Sequence, residues 1–537
     1  MPLGHRDLSD GAGMKWKYIA QAQRVLAREE GTIIKDWGGR LPIALAFPNT
    51  YYVGMSSLGL QSVYGLFNAD ARVVCERIFW YPERADRPLL ALESQRPVED
   101  FDVLAFTCSF EIDYFHIVEM LRQAEIPLRA AERDETHPLL IVGGPAPSAN
   151  PLPLAPIFDA FAIGEGEAII PPLLSLLHEQ ASAPRPQLLA ALAELPGLFV
   201  PNSQPVQRQW VRDIDAHPTH TVVFSTDTEF GGMFLMEVSR GCGRGCRFCL
   251  AGHWYRPVRE RSPEALLAQA EQGKRYRDRV GLVGAAISDY SQIEALLSGL
   301  RELGMKISVS SLRVDPLPEV LLEALAESGT QTLTIAPEAG SQRLRDAIRK
   351  GVSEEALMET VDRAAGRLPH LKLYYMMGLP TETEADVEAL VELTLAIRAR
   401  FPGRLTANIT PFVPKAHTPF QWAAMASQET LQRRIAHIEG GLRPAGIEVR
   451  SESPTWARVQ GVLARGDERV GEVLIRIQRR SLAGWRRACE EVGLDPGVYL
   501  QARPAGEPLP WDFIDAGLSR AYLGREYTRA RIHDPDQ

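Results

Sequence analysis

Apolar positions along the chain fall into two alternating series, separated by a Pro- and Ala-rich interval. The first series opens with Met14 to about Glu30, where Trp16, Ile19, Ala20, Val25 and Leu26 recur at the spacing of one helix face. Short apolar runs of strand length follow: Leu41 to Phe47, Val73 to Phe79, Phe101 to Phe106, Leu139 to Val142 and Phe158 to Ile163. Helical patterns separate them, for example from Gly59 to Phe67 and through Tyr114, Ile117, Val118 and Leu121. Strands alternating with helices predict a doubly wound parallel α/β sheet of Rossmann-like form over 41–180, preceded by a helical segment at 1–40.

The run-ends in this series are small. Asn49 and Thr50, Thr107 and Ser109, Gly143 and Gly144, and Gly164 and Gly166 occupy the carboxyl ends of four strands, where open α/β sheets bind ligands. Tight strand-to-helix turns explain any one glycine; the four ends together favour a ligand.

Pro184, Pro186, Pro196, Pro201, Pro205 and Pro218 mark 181–230 as a linker. The second series starts at Met233 to Val238 and continues with strands at Val280 to Ile287, Lys306 to Ser310, Gln331 to Ala336, Leu371 to Met377 and Leu405 to Ile409. Helices fit between them, as at Pro263 to Tyr276 and Gln292 to Leu303. Six such units, two short of a full barrel, predict a partial TIM-type (β/α)6 barrel over 231–425 with its site at the strand carboxyl ends. A smaller, mainly helical region, 426–537, completes the expected organisation.

Composition narrows the class. The 537 residues exceed one compact core, and 45% hydrophobic with 24% charged residues is ordinary for a globular chain. No apolar run is long enough to span a bilayer, and the polar N-terminus lacks a signal-peptide core, so the expected compartment is cytoplasmic. A net charge of −9 argues against nucleic-acid binding over the whole surface. A local arginine-rich segment begins near residue 430, with Arg433, Arg434, Arg443, Arg450, Arg458, Arg465, Arg469, Arg476, Arg479, Arg480, Arg486 and Arg487. It reads either as a solvated face with intrahelical ion pairs or as an RNA contact.

The chemistry concentrates in Cys242-Gly243-Arg244-Gly245-Cys246-Arg247-Phe248-Cys249, which holds three of the six cysteines. An odd trio in a tight loop disfavours disulfides, and a reducing compartment favours metal. A closed zinc site needs four ligands, for which His253 is the near candidate; cubane clusters usually have four cysteines, and Cys75, Cys108 and Cys489 are distant in sequence. Three thiolates on a four-iron cluster leave one iron open.

The C-x3-C-x-aromatic-C loop after the first strand of a partial barrel resembles the radical SAM superfamily over 233 to about 420. The resemblance implies that Cys242, Cys246 and Cys249 hold a 4Fe–4S cluster whose open iron binds S-adenosylmethionine, and that one-electron reduction yields a 5′-deoxyadenosyl radical. It further implies that Phe248 packs near the adenine and that Ser288 and Asp289 stand where the family has its Gly-Gly-Glu motif. Arg313 would meet the methionyl carboxylate, Glu338 would lie near the cofactor, and Gly378-Leu379-Pro380-Thr381-Glu382 would set backbone against the adenine. An ion pair between Arg313 and Glu338 bracing the barrel mouth is the structural alternative.

The first sheet resembles the cobalamin-binding module that precedes many radical SAM domains. It implies corrinoid contacts at Thr107, Ser109, Gly143, Gly144, Gly164 and Gly166, although Pro48 to Gly54 lacks the Asp-x-His-x-x-Gly signature. Pro411 to Trp422 and Leu509 to Asp515 are similar to an uncharacterised, cobalamin-type branch. Lys415 and His417 at the rim are the acid–base candidates, against a proline-rich closing loop anchored by Trp422. The resemblance leads to an expected cobalamin-dependent methylation of an unactivated carbon, with a flavodoxin or ferredoxin as reductant. Rearrangement, cyclisation, oxidation, methylthiolation and a non-catalytic iron–sulfur sensor or partner-binding protein are the rivals. Methylthiolation normally needs three more N-terminal cysteines, and Cys75 and Cys108 are one short.

Overall fold

Leu41–Phe47 (β1), Val73–Phe79 (β2), Val103–Thr107 (β3), Leu139–Gly143 (β4) and Ala160–Ala162 (β5) form one parallel sheet in the order 2-1-3-4-5, with Leu198–Phe199 (β6) added antiparallel to β5. The structure is a computed structural model that describes residues 8–82, 87–309 and 312–532. The chain forms two compact units: 1–211 with 221–231 and 467–494, and 212–220 with 232–466 and 495–537. No helix among the described residues is long and apolar enough to cross a membrane.

In the first unit β1 is buried along nearly its whole length and β2 completely, as parallel strands covered on both faces must be. β2 nonetheless carries Glu76 and Arg77. Arg77 is held between Glu29 and Glu93, each at 2.6 Å, and Glu76 accepts the Trp37 indole N–H at 2.8 Å. Charge inside a strand is tolerated here because every donor and acceptor is matched. The strand order reverses between β1 and β3, opening a crevice at their carboxyl ends.

The strand-end glycines answer largely to the protein itself. A Cβ on Gly144, at φ +103°, would lie 2.3 Å from the Cys108 carbonyl oxygen, and one on Gly164, at φ +137°, would lie 2.2 Å from that of Gln209. Both glycines let two backbone segments touch. A Cβ on Gly143 would lie 3.3 Å from the Ala162 side chain, and one on Gly166 would lie 3.2 Å from that of Ile170.

Two expected boundaries differ. The stretch 181–230, expected as a linker, carries the helix Arg185–Ala193 and β6, and most of it packs in the first unit. Residues 426–537, expected as one region, are divided. Helices Glu468–Arg476 and Leu482–Val492 return to the first unit, where Glu472 meets Arg129 at 2.6 Å and Gly471 sits against Pro153 and Pro156.

The second unit holds the six expected parallel strands: Phe234–Glu237 (β7), Arg279–Val283 (β8), Lys306–Val309 (β9), Thr332–Glu338 (β10), His370–Met377 (β11) and Arg404–Pro411 (β12). Ser310, the expected end of β9, lies outside the described residues. β8 ends sooner than its apolar run, because Ile287–Asp289 is a 3₁₀ turn. A seventh parallel strand, Glu448–Ser451 (β13), pairs with β12. Its Glu-Val-Arg-Ser sequence is polar and half-exposed, so no apolar run announces it. β7–β9 and β10–β13 form two ladders, with no pairing between β9 and β10 among the described residues.

Gly144→Ala, read in ligand-free protein, should cost about 2 kcal/mol of unfolding free energy in urea, because a left-handed position and a backbone clash coincide. Unchanged stability would contradict the backbone-contact explanation of this glycine.

Candidate functional site

The cysteine loop leaves the carboxyl end of β7 through a charged hinge. Glu237 accepts Arg240 at 2.8 Å and Arg261 at 2.7 Å, which holds its carboxyl below the usual range although burial pushes it up. Ser239–Arg240 then pairs antiparallel with Arg259–Glu260. Gly241, at φ +90°, makes the entry possible: a Cβ there would stand 2.4 Å from the Tyr255 carbonyl oxygen. Gly245, at φ +71°, lies under two cations, its missing Cβ 3.0 Å from the Arg256 guanidinium and 3.6 Å from that of Arg349.

Cys246 is buried; Cys242 and Cys249 are half-buried, and all three are free thiols. Burial pushes Cys249 up to about 11. Burial also raises Cys246, against the lowering influence of Lys350 and Arg313. Thiolates at these positions therefore need a cation, which a metal supplies. Among the described residues no three Cys, His, Asp or Glu side chains converge as a cage for one metal ion. Each cysteine of a cubane binds a different iron, so a cluster asks only for three thiols on one loop, whereas a closed zinc site needs a fourth donor. The donor set fits the cluster. His253, the proposed fourth zinc ligand, is fully buried: Nδ1 contacts the Cys249 carbonyl oxygen at 3.0 Å, and Nε2 is without a hydrogen-bond partner. Burial lowers its pKa to about 4, so the ring is neutral at pH 7.

Neighbouring strand ends supply the surroundings. After β8, Asp289 takes a bidentate contact from Arg244 of the cysteine loop at 2.6 and 2.8 Å. The buried Ser288 hydroxyl accepts the Arg313 backbone N–H at 3.1 Å. Arg313 and Glu338 do not form the ion pair that is the structural alternative to a cofactor role. Glu338 pairs instead with Lys350 at 2.9 Å, and the Arg313 guanidinium donates to the Lys350 carbonyl oxygen at 2.7 Å. Lys350 is thus the functional candidate that sequence reasoning missed; it follows a short helix and belongs to no motif. Glu338 adopts φ +67° at a register shift in β10, a conformation usually reserved for glycine.

Phe248 packs against an apolar cluster containing Ala339, Leu379 and Phe412, which joins the loop to the ends of β10, β11 and β12. Gly378, at φ +82°, donates its N–H to Glu382 at 2.6 Å. Glu382 also pairs with Arg434 at 2.5 Å, and burial pushes it up to about 7 despite those contacts. His417 is buried, with φ +58° and its ring 5.0 Å from Trp254. Lys415 is half-buried and its carbonyl accepts the Thr418 hydroxyl. Trp422 is fully buried, as a packing anchor should be.

In the first unit, Thr107 pairs with Gly143 in the ladder and Ser109 is exposed. Past the ends of β1 and β3, Tyr52, Val53 and Phe110 are exposed, and Asn49 donates to Asp113 at 2.9 Å. His116 is occupied at both ring nitrogens, Nδ1 with the Pro48 carbonyl oxygen at 2.8 Å and Nε2 with Arg480 at 3.2 Å. The arginine-rich segment is divided between the two units, and several of its members are buried or paired. Arg434 and Arg465 are buried, Arg433, Arg443 and Arg450 pair with Glu384, Glu439 and Glu448, and Arg469, Arg476 and Arg480 lie in the portion belonging to the first unit.

Comparison with known proteins gives the family. Residues 236–394 match the model described as Radical SAM superfamily, and 59–201 match Radical SAM proteins, N-terminal. The uncharacterized protein MJ0966 of Methanocaldococcus jannaschii is 30% identical over 439 residues, which cover 80% of this chain and 90% of that one. A tRNA-2-methylthio-N(6)-dimethylallyladenosine synthase of Pelotomaculum thermopropionicum is 24% identical over 37% of this chain and 48% of that enzyme, so the match spans about half its length. Among solved structures, the cobalamin-dependent S-adenosylmethionine radical enzyme OxsB with aqua-cobalamin bound shares the fold, with TM-score 0.51 and 11% identity over 92% of this chain and 79% of that one.

Glu382 yields a pH prediction. Its folded-state pKa, about 7, exceeds the ordinary 4.5, so the folded form holds the proton more tightly than the unfolded chain. Its contribution to stability is complete below about 4.5 and is lost as pH rises through about 7. Glu382→Gln should therefore flatten the fall in urea midpoint across that window; an unaltered slope would assign it to other groups.

Proposed function

Because this chain belongs to the radical SAM superfamily, we propose that its second unit cleaves S-adenosylmethionine at a 4Fe–4S cluster held by Cys242, Cys246 and Cys249. The observation that carries this reading is three thiols on one strand-end loop, with Cys246 influenced by Arg313, Lys350 and Glu338. When bound and reduced, the cluster supplies the electron that breaks the sulfonium bond and gives the 5′-deoxyadenosyl radical.

The chain's own residues prepare that event. Three cysteines leave one iron for the amino and carboxylate groups of the methionyl moiety. Arg313 and Lys350 place positive charge for the carboxylate, and Glu338 orients Lys350 and offers an acceptor to the amine. Phe248 and Leu379 form an apolar wall for the adenine, and Gly378, fixed by Glu382, brings backbone to its edge. The cation-rich loop, with Arg256 and Arg349 over Gly245, offsets the negative charge of a thiolate-bound cluster. A flavodoxin or ferredoxin would deliver the electron.

For the second step we favour cobalamin-dependent methylation of an unactivated carbon. Support comes from the 2-1-3-4-5 sheet, whose strands β1 and β3 are followed by exposed Tyr52, Val53 and Phe110, and from the fold shared with OxsB, whose structure holds cobalamin. The corrinoid fits the β1–β3 crevice better than the β4 and β5 ends, where Gly144 and Gly164 already face backbone. His116 is engaged at both ring nitrogens, by the Pro48 carbonyl oxygen and by Arg480. The match to a methylthiotransferase favours sulfur insertion as the second reading, but Cys75 and Cys108 are both buried, with burial raising each thiol.

Anaerobically reconstituted protein, given dithionite and S-adenosylmethionine, should bind iron through the loop and form 5′-deoxyadenosine. Cys242→Ala, Cys246→Ala and Cys249→Ala should each abolish both, whereas Cys75→Ser and Cys489→Ser should retain them. Absence of deoxyadenosine from a protein with full iron would favour a sensor. Mass spectrometry of small molecules released from the purified protein should find a corrinoid, and turnover should also yield S-adenosylhomocysteine. Deoxyadenosine without that product would exclude methylation.

A further inference from the structure

The helix Arg520–Arg531 lies against the cysteine loop, and the cofactor chemistry does not require it. Its Glu526 is buried and gathers three guanidinium groups: Arg247 at 3.2 Å, Arg349 at 3.3 Å and Arg529 at 2.7 Å. Arg247 stands inside the loop, between Cys246 and Cys249. Its guanidinium also donates to the carbonyl oxygens of Asp346 and Ala347 at 3.2 and 2.6 Å. Its backbone N–H donates to Ile348 at 3.0 Å, and its carbonyl oxygen accepts the Phe420 N–H at 3.2 Å. Every polar group of this residue that the loop turns inward is therefore tied down.

The same helix makes apolar contact. Ala530 and Tyr527 enter the cluster that includes Phe248 and Leu379, and Tyr527 also lies 5.8 Å from the Trp422 ring. Tyr522 stands 6.2 Å from His253, with the Arg256 guanidinium 5.7 Å from its ring centroid.

We propose that the helix Arg520–Arg531 is a clasp for the cysteine loop and that Glu526 is its positioning residue, holding the segment between Cys246 and Cys249 in place before any cluster is loaded. A guanidinium buried without its carboxylate is strongly unfavourable. Loss of Glu526 would drive Arg247 toward water, and the loop backbone would move with it. The carboxylate also moderates the positive charge of Arg247 and Arg349 beside the cluster. The clasp stands on contacts within the chain; only its effect on a loaded cluster rests on the function proposed above.

Hydrogen exchange on full-length, cluster-free protein tests the clasp directly. Glu526→Gln preserves shape and removes charge, and should speed exchange of peptides spanning 242–249 by about tenfold, with β1–β5 unchanged. The reciprocal variant, Arg247→Gln, should loosen 520–531 in the same way, and Glu526→Asp should restore protection in part. In reconstituted protein, Glu526→Gln should hasten cluster loss to a chelator and move the cluster potential positive, because a nearby negative charge is gone. Wild-type protection of 242–249 in Glu526→Gln would overturn the clasp, as would general unfolding in Glu526→Gln combined with an unaltered helix in Arg247→Gln. A wild-type protein that takes no cluster, yet loosens its loop in Glu526→Gln, would refute the cluster assignment and leave the clasp standing.

Discussion

Removing guanidinium groups from water is the constraint around which both units are built. An arginine in the interior keeps its charge, so its guanidinium must find carboxylates or carbonyl oxygens, even where, as at Arg133, Arg185, Arg261, Arg345 and Arg465, the Nε itself has no hydrogen-bond partner. Arg77 lies between Glu29 and Glu93, and Arg133 and Arg185 share Asp159. Arg261 takes Glu237 at the entrance to the cysteine loop, and Arg345 and Arg465 donate to carbonyl oxygens at turns. In each case a side chain that sequence reading assigns to the surface is an internal strut. These contacts fix loops, which carry few regular hydrogen bonds of their own, and the reactive residues are on loops.

That constraint explains what could and could not be read from the residues alone. The parallel strands were legible because strands covered on both faces are apolar throughout, and β1 and β4 have that pattern. The cysteine trio was legible because its spacing is local. Lys350 and Glu526 were not, since neither sits in a motif and each acts through a partner that only folding brings to it, Glu338 across a helix and a turn and Arg247 from a distant part of the chain. β13 escaped because a half-exposed edge strand needs little apolar character. The strand-end glycines mark close approach, but sequence does not identify the approaching atom; at Gly144 and Gly164 it is a protein carbonyl.

The arginine-rich segment teaches the same lesson with opposite sign. Counted along the chain, it resembles a basic patch. Folded, Arg434 is paired to Glu382 beneath the Gly378 turn, Arg465 is enclosed, and the remainder is divided between two units. Charge density in sequence becomes free charge on a surface only where the residues are exposed and unpaired, and Arg433, Arg434, Arg443, Arg450 and Arg465 are each buried or paired to a carboxylate.

The return of 467–494 to the first unit has a consequence for biosynthesis. A unit whose sheet strands are all made by residue 199 still lacks two of its helices until residues 468–492 have emerged from the ribosome. The N-terminal unit therefore cannot mature ahead of the C-terminal one as a bead on a string. The two are completed within a few dozen residues of each other, and a nascent chain halted between them exposes the surface that Gly471 and Glu472 later cover.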